Sequence, residues 1–500
     1  MNQTSSGTQR DPRIPYQPRD FSVLLAGELV SPTQREVITR ESPAYRVAVS
    51  RYPRSTAADV AKAIDTARAT ADAGVWGSMA GGDRARLINR VAQLIDKNRE
   101  ELALIESLEV GKPLTAAARE MQGTIGLWEF AATLARHAHG DLHDKIGPGA
   151  LGLVFREPLG VVGMITPWNY PLLIVSQKLP FALAVGCCVV VKPSELTSGT
   201  ALRLGELLLE AGVPAGVVNI VVGEGPTVGE AICRSEKVDM VSFTGSTRVG
   251  QTIGRITGES IKRVSLELGG KSAQIVCADA DLEFAAEKVA VGATRNAGQA
   301  CVSGSRLLVE ASIADAFTQA VSERMRKIQV GDPLDSRTEM GPLVSQSQFD
   351  RVDGYIKAGQ RDGATFLQSN EPTGSSTGYF VRPGIFTGVR PSMSIAQEEI
   401  FGPVLSVMPF QSLPQAVEVA NGTKYGLAAG VWSRDINKAF ALARKLNAGT
   451  VEVNTYMAGV PELPLSGHKQ SGVGHEKGRY ALEEFTHLKT IQLQLTDPTA

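Results

Sequence analysis

Cysteine is scarce in this chain: Cys187, Cys188, Cys233, Cys277 and Cys301 are the only five among 500 residues. The number is odd and no two form a C-x-x-C pair. Neither a disulfide framework nor a thiolate zinc site is expected, and a reducing, cytoplasmic compartment fits. Histidine is also sparse, with six residues and no metal-ligand spacing, so no metal is expected. An excess of either charge is missing. Lys and Arg number 51 against 52 Asp and Glu, which removes the electrostatic footprint of a nucleic-acid or anionic-membrane partner. Long apolar runs are missing too: Ala182 to Val191 is among the longest and cannot span a bilayer. The segment Met1 to Arg19 is polar, holds several prolines and lacks the apolar core of a signal peptide.

What remains is the composition of an ordinary globular protein, 43% hydrophobic and 21% charged, long enough for several domains. Residues 1–19 read as a flexible arm. Thr56, with Asp59 three residues on, reads as the N-cap of a helix, and further helices follow to about His137. Glycines punctuate residues 140–158, which suits a hairpin excursion. From Gly160 short apolar strands alternate with helices: Val161 to Ile165, Val189 to Lys192, Val217 to Val222, Met240 to Phe243 and Val264 to Leu268. Such βα alternation means a parallel sheet covered on both faces. A second α/β series starts at Ser272, with a helix expected over Phe284 to Asn296. The stretch 368–378, rich in Ser, Thr and Gly, reads as a surface loop. Residues 489–495 alternate like an edge strand.

Cys301 stands among small and polar residues, Asn296 to Arg306, just past that predicted helix. Nearby backbone N–H groups in such a setting can stabilise a thiolate and later an oxyanion. Glu267 lies between Leu266 and Leu268 before Gly269-Gly270, an apolar setting that raises a carboxyl pKa. Asn169 sits in Thr166-Pro167-Trp168-Asn169-Tyr170-Pro171. Phe243-Thr244-Gly245-Ser246-Thr247-Arg248-Val249-Gly250 follows a strand and opens a helix, which suits a pyrophosphate at the helix N-terminus. Gly223 to Gly229 is one residue out of register for G-x-G-x-x-G, and a plain turn explains it as well.

Together these motifs resemble the aldehyde dehydrogenase superfamily, over roughly Pro53 to Leu488. Glu109 to Pro113, Gly341 to Val344, Gln397 to Val404 and Ser466 to Gly472 extend the likeness. The resemblance implies an α/β fold with a Rossmann-like, parallel-sheet cofactor domain (20–139 and 159–267), an α/β catalytic domain (268–480) and a small oligomerisation element (140–158 and 481–500). It implies Cys301 as nucleophile, Glu267 as activator of the hydrolytic water, and Asn169 as oxyanion donor. The cofactor residues it implies begin with Ile165, Thr166, Pro167, Trp168, Lys192, Ser194 and Glu195. They continue through Gly225, Gly229, Phe243, Thr244, Gly245, Ser246, Val249 and Leu268 to Glu399 and Phe401. Glu195 would repel a 2′-phosphate, so NAD is expected over NADP. Tyr170, Gln177, Ala300, Val302, Tyr456 and Leu465 would line the substrate pocket.

The segment Val460 to Pro464 is similar to betaine- and aminoaldehyde dehydrogenases. Gln177, however, stands where an indole is common, and Leu465 is aliphatic, so an aromatic cage for a quaternary ammonium is not expected. A small polar or amino aldehyde fits. Two rival functions are a coenzyme-A-acylating dehydrogenase and a catalytically silent protein on the same scaffold. The water-activating Glu267 argues against the first, and retention of Cys301, Glu267 and Asn169 against the second. A homodimer or homotetramer is expected, its edge strand protected by a neighbouring copy.

Overall fold

The computed structural model describes residues 11–496 except 16, 34 and 369–376. Residues 1–10 of the expected arm, and most of the stretch 368–378, therefore lie outside the described residues.

Two large sheets organise the chain. The strands of the first run in the order Gly472–Val473, Arg263–Glu267, Met240–Thr244, Val161–Ile165, Cys188–Lys192, Val218–Ile220, Val23–Leu25 and Glu28–Val30. The five from Arg263–Glu267 to Val218–Ile220 are parallel. Val161–Ile165, Cys188–Lys192 and Met240–Thr244 are buried at every position. Burial on both faces is why these strands read as unbroken apolar runs. Helices cover them. Thr56 forms the expected capping box with Asp59, and Gly111, at φ 88°, ends the helix Arg99–Val110.

The strand order reverses between Val161–Ile165 and Met240–Thr244. From the first, the chain steps outward to Cys188–Lys192 and Val218–Ile220, then crosses back to Met240–Thr244 on the other side. In an open α/β sheet, ligands bind beyond the carboxyl ends of the strands at such a reversal. Thr166 to Tyr170 and Gly245 to Ser246 leave the sheet at that place.

The second sheet runs Thr365–Gln368, Gly384–Thr387, Val404–Phe410, Arg306–Glu310, Ala273–Val276, Ala428–Trp432 and Thr450–Val453. It is parallel apart from its first pair. In a third, antiparallel sheet, Ala150–Pro158 lies between Asp141–His143 and Thr486–Gln494. The glycine-punctuated hairpin and the alternating tail thus come together.

Three features depart from the sequence reading. Gly472–Val473, assigned above to the second domain, pairs antiparallel with Leu266 and Glu267 and covers the edge of the first sheet. The helix expected to reach Asn296 stops at Thr294, and Asn296, Ala297 and Gly298 take φ of 53°, 55° and 70°. Glycine tolerates that region and alanine does not favour it, so local preference could not foretell the turn. Lastly, the arm is docked over its second half. Ile14 is buried with Val49, Leu108 and Leu334, and Arg13 Nη2 donates to the Leu334 carbonyl at 3.0 Å.

Arg40 ties the two halves of the molecule. It is buried, and its guanidinium donates to the Glu109 carbonyl at 3.0 Å and to the Val344 carbonyl at 2.8 Å. Arg40→Leu would leave both carbonyls without that donor, at about 1–3 kcal/mol each. The midpoint of urea unfolding should fall accordingly, and an unchanged midpoint would show that the link is dispensable.

Candidate active site

The segment before Cys301 is held by interlocking bonds. A Cβ on Gly298 would lie 2.1 Å from the Gly402 carbonyl oxygen, so only glycine fits there. Gln299 is buried; its Nε2 donates to the Asn296 carbonyl at 3.0 Å, and its Oε1 accepts from the Val344 N–H at 2.9 Å. The Gln299 carbonyl accepts from Asn169 Nδ2 at 3.0 Å and from Asn296 Nδ2 at 3.2 Å. Asn296 Nδ2 also reaches the Asn169 carbonyl at 2.9 Å. Asn169 is therefore tied to the cysteine loop, with one amide hydrogen still free. Among the described residues the Cys301 N–H has no backbone acceptor. Gly270 closes the other side, where an added Cβ would meet the Cys301 carbonyl oxygen at 2.3 Å.

Burial, then the Glu399 and Glu267 carboxylates, push the Cys301 thiol up to about 12, while the Val302 N–H opposes them. The Val302 N–H is a backbone donor of the kind the sequence offered to a thiolate, and desolvation and two nearby acids act against it.

Glu267 ends its strand, is buried, and has no hydrogen-bond partner among the described residues for either carboxylate oxygen. Burial first, and then Glu476, hold its carboxyl well above the usual range, against the pull of Lys178 and Lys477. Two residues missed in the sequence thus complete the site. Lys178 forms a buried ion pair with Glu476 and donates to Ser242 Oγ at 2.9 Å. Thr244 Oγ1 donates to Glu476 at 3.2 Å. Lys178 had a signal, being the one charge in the otherwise apolar helix Pro171–Val185. Glu476 had none.

The expected cofactor residues gather around the reversal. Ile165 and Lys192 are register partners, and Thr166 N–H donates to the Lys192 carbonyl at 3.0 Å. Lys192 Nζ donates to the Pro193 carbonyl at 3.0 Å and to Glu195 at 3.4 Å. Burial lowers its pKa. Ser194 Oγ accepts from the Leu196 N–H. Gly225 opens a single π-helical turn and faces open space, whereas a Cβ on Gly229 would meet Ile165 and Lys192 at 3.7 and 3.8 Å. Ser246 caps the helix Thr247–Glu259 by accepting from the Val249 N–H. Phe243 lies beneath Gly245, and Leu268 packs on Gly250. Glu399 accepts from the Gly270 N–H at 3.0 Å, and burial brings its carboxyl to about 7. Phe401, at φ 62°, sets its ring edge-on to Trp168 with centroids 5.3 Å apart. Its carbonyl is held by Gln348 Nε2 at 2.8 Å. A bulky residue in the left-handed region is a constraint imposed by its surroundings.

The expected pocket residues divide. The Tyr170 hydroxyl is buried without a protein partner. One face of its ring is 4.6 Å from Lys112 Nζ, which pairs with Glu106 and Glu120. Gln177 is half-buried on the same helix as Lys178. Tyr456 is buried and donates to the Val302 carbonyl at 2.7 Å, so it supports the cysteine loop from behind. Ala300 is likewise buried. Leu465 exchanges both backbone bonds with Glu476 at 2.8 Å, joining the pocket loop to the buried acid.

Among the described residues no group of three or more His, Cys, Asp or Glu could hold a metal ion. No described helix is long and apolar enough to cross a membrane.

A cysteine, a buried carboxylate and an amide donor at the reversal of a parallel sheet make an α/β enzyme-like site suited to covalent acyl chemistry. Comparison with known proteins makes the class specific. The model of the aldehyde dehydrogenase family matches residues 29–491, and the chain belongs to that family. Betaine aldehyde dehydrogenase of Bacillus subtilis is 39% identical, over 94% of this chain and 96% of that protein. Cytosolic aldehyde dehydrogenase 1 of mouse is 43% identical over 91% of each. Among solved structures, an NAD-dependent aldehyde dehydrogenase from Sinorhizobium meliloti superposes with a TM-score of 0.95. It is 47% identical, with 98% of this chain and 97% of that chain covered. A betaine aldehyde dehydrogenase from Staphylococcus aureus, solved in complex with NAD+, gives a TM-score of 0.92 at 36% identity, covering 95% of this chain and 94% of that one.

The folded Glu267 carboxyl keeps its proton to higher pH than the unfolded one. Native stability therefore falls as pH rises from the ordinary carboxylate range through the raised native pKa. Glu267→Gln should remove that fall, so the variant gains on the wild type as pH rises in thermal unfolding. Parallel curves would mean that the carboxylate is solvated or paired.

Proposed function

We propose that the protein oxidises an aldehyde to its carboxylic acid with NAD+, through covalent intermediates on Cys301. The observation that carries this reading is Glu267: a buried carboxylate without a partner, electrostatically coupled to the Cys301 thiol. Cys301 reacts as its thiolate, its proton passing to solvent as the aldehyde enters. The sulfur then bonds to the carbonyl carbon. The oxyanion of the thiohemiacetal is met by the Asn169 amide and the Cys301 N–H. Bound nicotinamide supplies the hydride acceptor. In the resulting thioester, Glu267 takes a proton from water, the water oxygen adds to the acyl carbon, and the acid leaves as the thiol re-forms.

The residues present fit a dinucleotide. Gly245 and the Ser246-capped helix N-terminus suit the pyrophosphate. Lys192 and Glu195 suit the adenosine ribose, Glu195 opposing a 2′-phosphate and favouring NAD over NADP. Glu399, Phe401 and Trp168 gather where the nicotinamide ribose and ring would lie. For the aldehyde we favour a small polar or amino substrate. The Tyr170 ring face beside Lys112 is already taken by a cation, which weakens it as one wall of a cage for quaternary ammonium. Glu267 also weighs against acyl transfer to coenzyme A, since that route needs no activated water.

In stopped-flow mixing with aldehyde and NAD+, Glu267→Gln should give a burst of NADH of about one per active site, then turnover slowed ~10²–10⁴-fold. Cys301→Ala should give no NADH at all. Steady turnover without a burst in Glu267→Gln would end this assignment.

We further propose a cytoplasmic homodimer or homotetramer. The strand Thr486–Gln494 is an open edge, with Leu488 61% and Ile491 40% exposed, and a second copy is the occupant that would cover it. Replacing Leu488 and Ile491 by Lys should lower the mass measured by light scattering, and an unchanged mass would exclude this strand from the contact.

A further inference from the structure

Behind the active site, on the far side of Gly270, lies a small cavity with room for a water-sized guest. Lys271, Arg306, Asn421, Tyr425 and Asn447 contribute to its wall, and no Asp or Glu does. Lys271 is 1% exposed, and its Nζ has no hydrogen-bond partner among the described residues. The other cations nearby donate to backbone carbonyls. Arg306 donates to the carbonyls of Lys271, Val419 and Ala420 at 2.8, 2.8 and 2.7 Å. Lys469 donates to the carbonyls of Asn421 and Thr423 at 2.9 and 2.7 Å. The acids that act on Lys271 from outside the cavity are also taken: Glu399 by the Gly270 N–H, and Glu398 by the Tyr355 hydroxyl at 2.7 Å.

We propose that this cavity is a binding site for a small, halide-sized monovalent anion, with the Lys271 ammonium as its principal partner. A buried ammonium without an acceptor costs several kcal/mol, so the site must either release the proton or gain a counter-charge. Burial and Arg306 push the Lys271 amine down to about 7. Near neutrality, therefore, a modest counter-charge suffices to keep the proton in place. A surplus of cations, an acid-free wall and space beside an unused donor all favour an anion over a cation or a neutral ligand. The bound ion would also brace the segment whose next residue, Gly270, holds Glu399 and rests against Cys301.

Bromide is the probe. In crystals of the intact protein soaked with bromide, anomalous density should appear within hydrogen-bond distance of Lys271 Nζ. In solution, bromide should raise the unfolding temperature saturably over gluconate at equal ionic strength, and Lys271→Met should abolish that rise. Density without an anomalous signal would show water beside a neutral amine and overturn the proposal. So would an equal rise in the variant, or bromide bound in the crystal with no effect on wild-type unfolding. Should the variant fail to fold, the wild-type density and the wild-type bromide response decide.

Discussion

A carboxylate buried without a partner beside a half-buried cysteine is the constraint on which the rest of this molecule depends. Burial disfavours the charged form of each, and the Glu267 carboxylate adds to the upward shift at Cys301. One proton can leave the pair far more easily than two, as for any two acids that share a dry site. The surroundings keep that balance. Gly270 lets backbone approach the Cys301 carbonyl, and Gly298 the Gly402 carbonyl, where a side chain would collide. Lys178 neutralises Glu476, so Glu267 faces a paired acid instead of a second free charge. The strand Gly472–Val473 shields the edge of the sheet that carries the base.

Much of this was legible in the chain because it is local. The parallel strands announce themselves as apolar runs, since both faces are covered. Ser246 and Thr56 read as caps because a hydroxyl ahead of a helix satisfies an otherwise free N–H. The direction of the Glu267 shift follows from its two leucine neighbours. What could not be read depends on distant parts meeting. Lys178 and Glu476 are 298 residues apart. The left-handed turn at Asn296 and Ala297 is held by Gly402, Val344 and Asn169. Residues near Ile14 look like a tail until Leu108 and Leu334 bury the isoleucine. Nor could the chain show that Glu399 and Glu267 both act on Cys301, which they do only in the folded state.

The short strand Gly472–Val473 has a bearing on how the protein comes into being. It belongs to the sheet whose parallel strands are complete by Glu267, yet it emerges from the ribosome some two hundred positions later, as does Glu476. Until then the edge beside Glu267 stays open and Lys178 is a buried cation without its acid. Contacts of such long range form slowly, because the intervening loop must close first. The edge pairing and the Lys178–Glu476 ion pair are therefore among the last contacts the chain can make. A fragment truncated before residue 472 would carry every residue of the thiol loop and neither of these contacts.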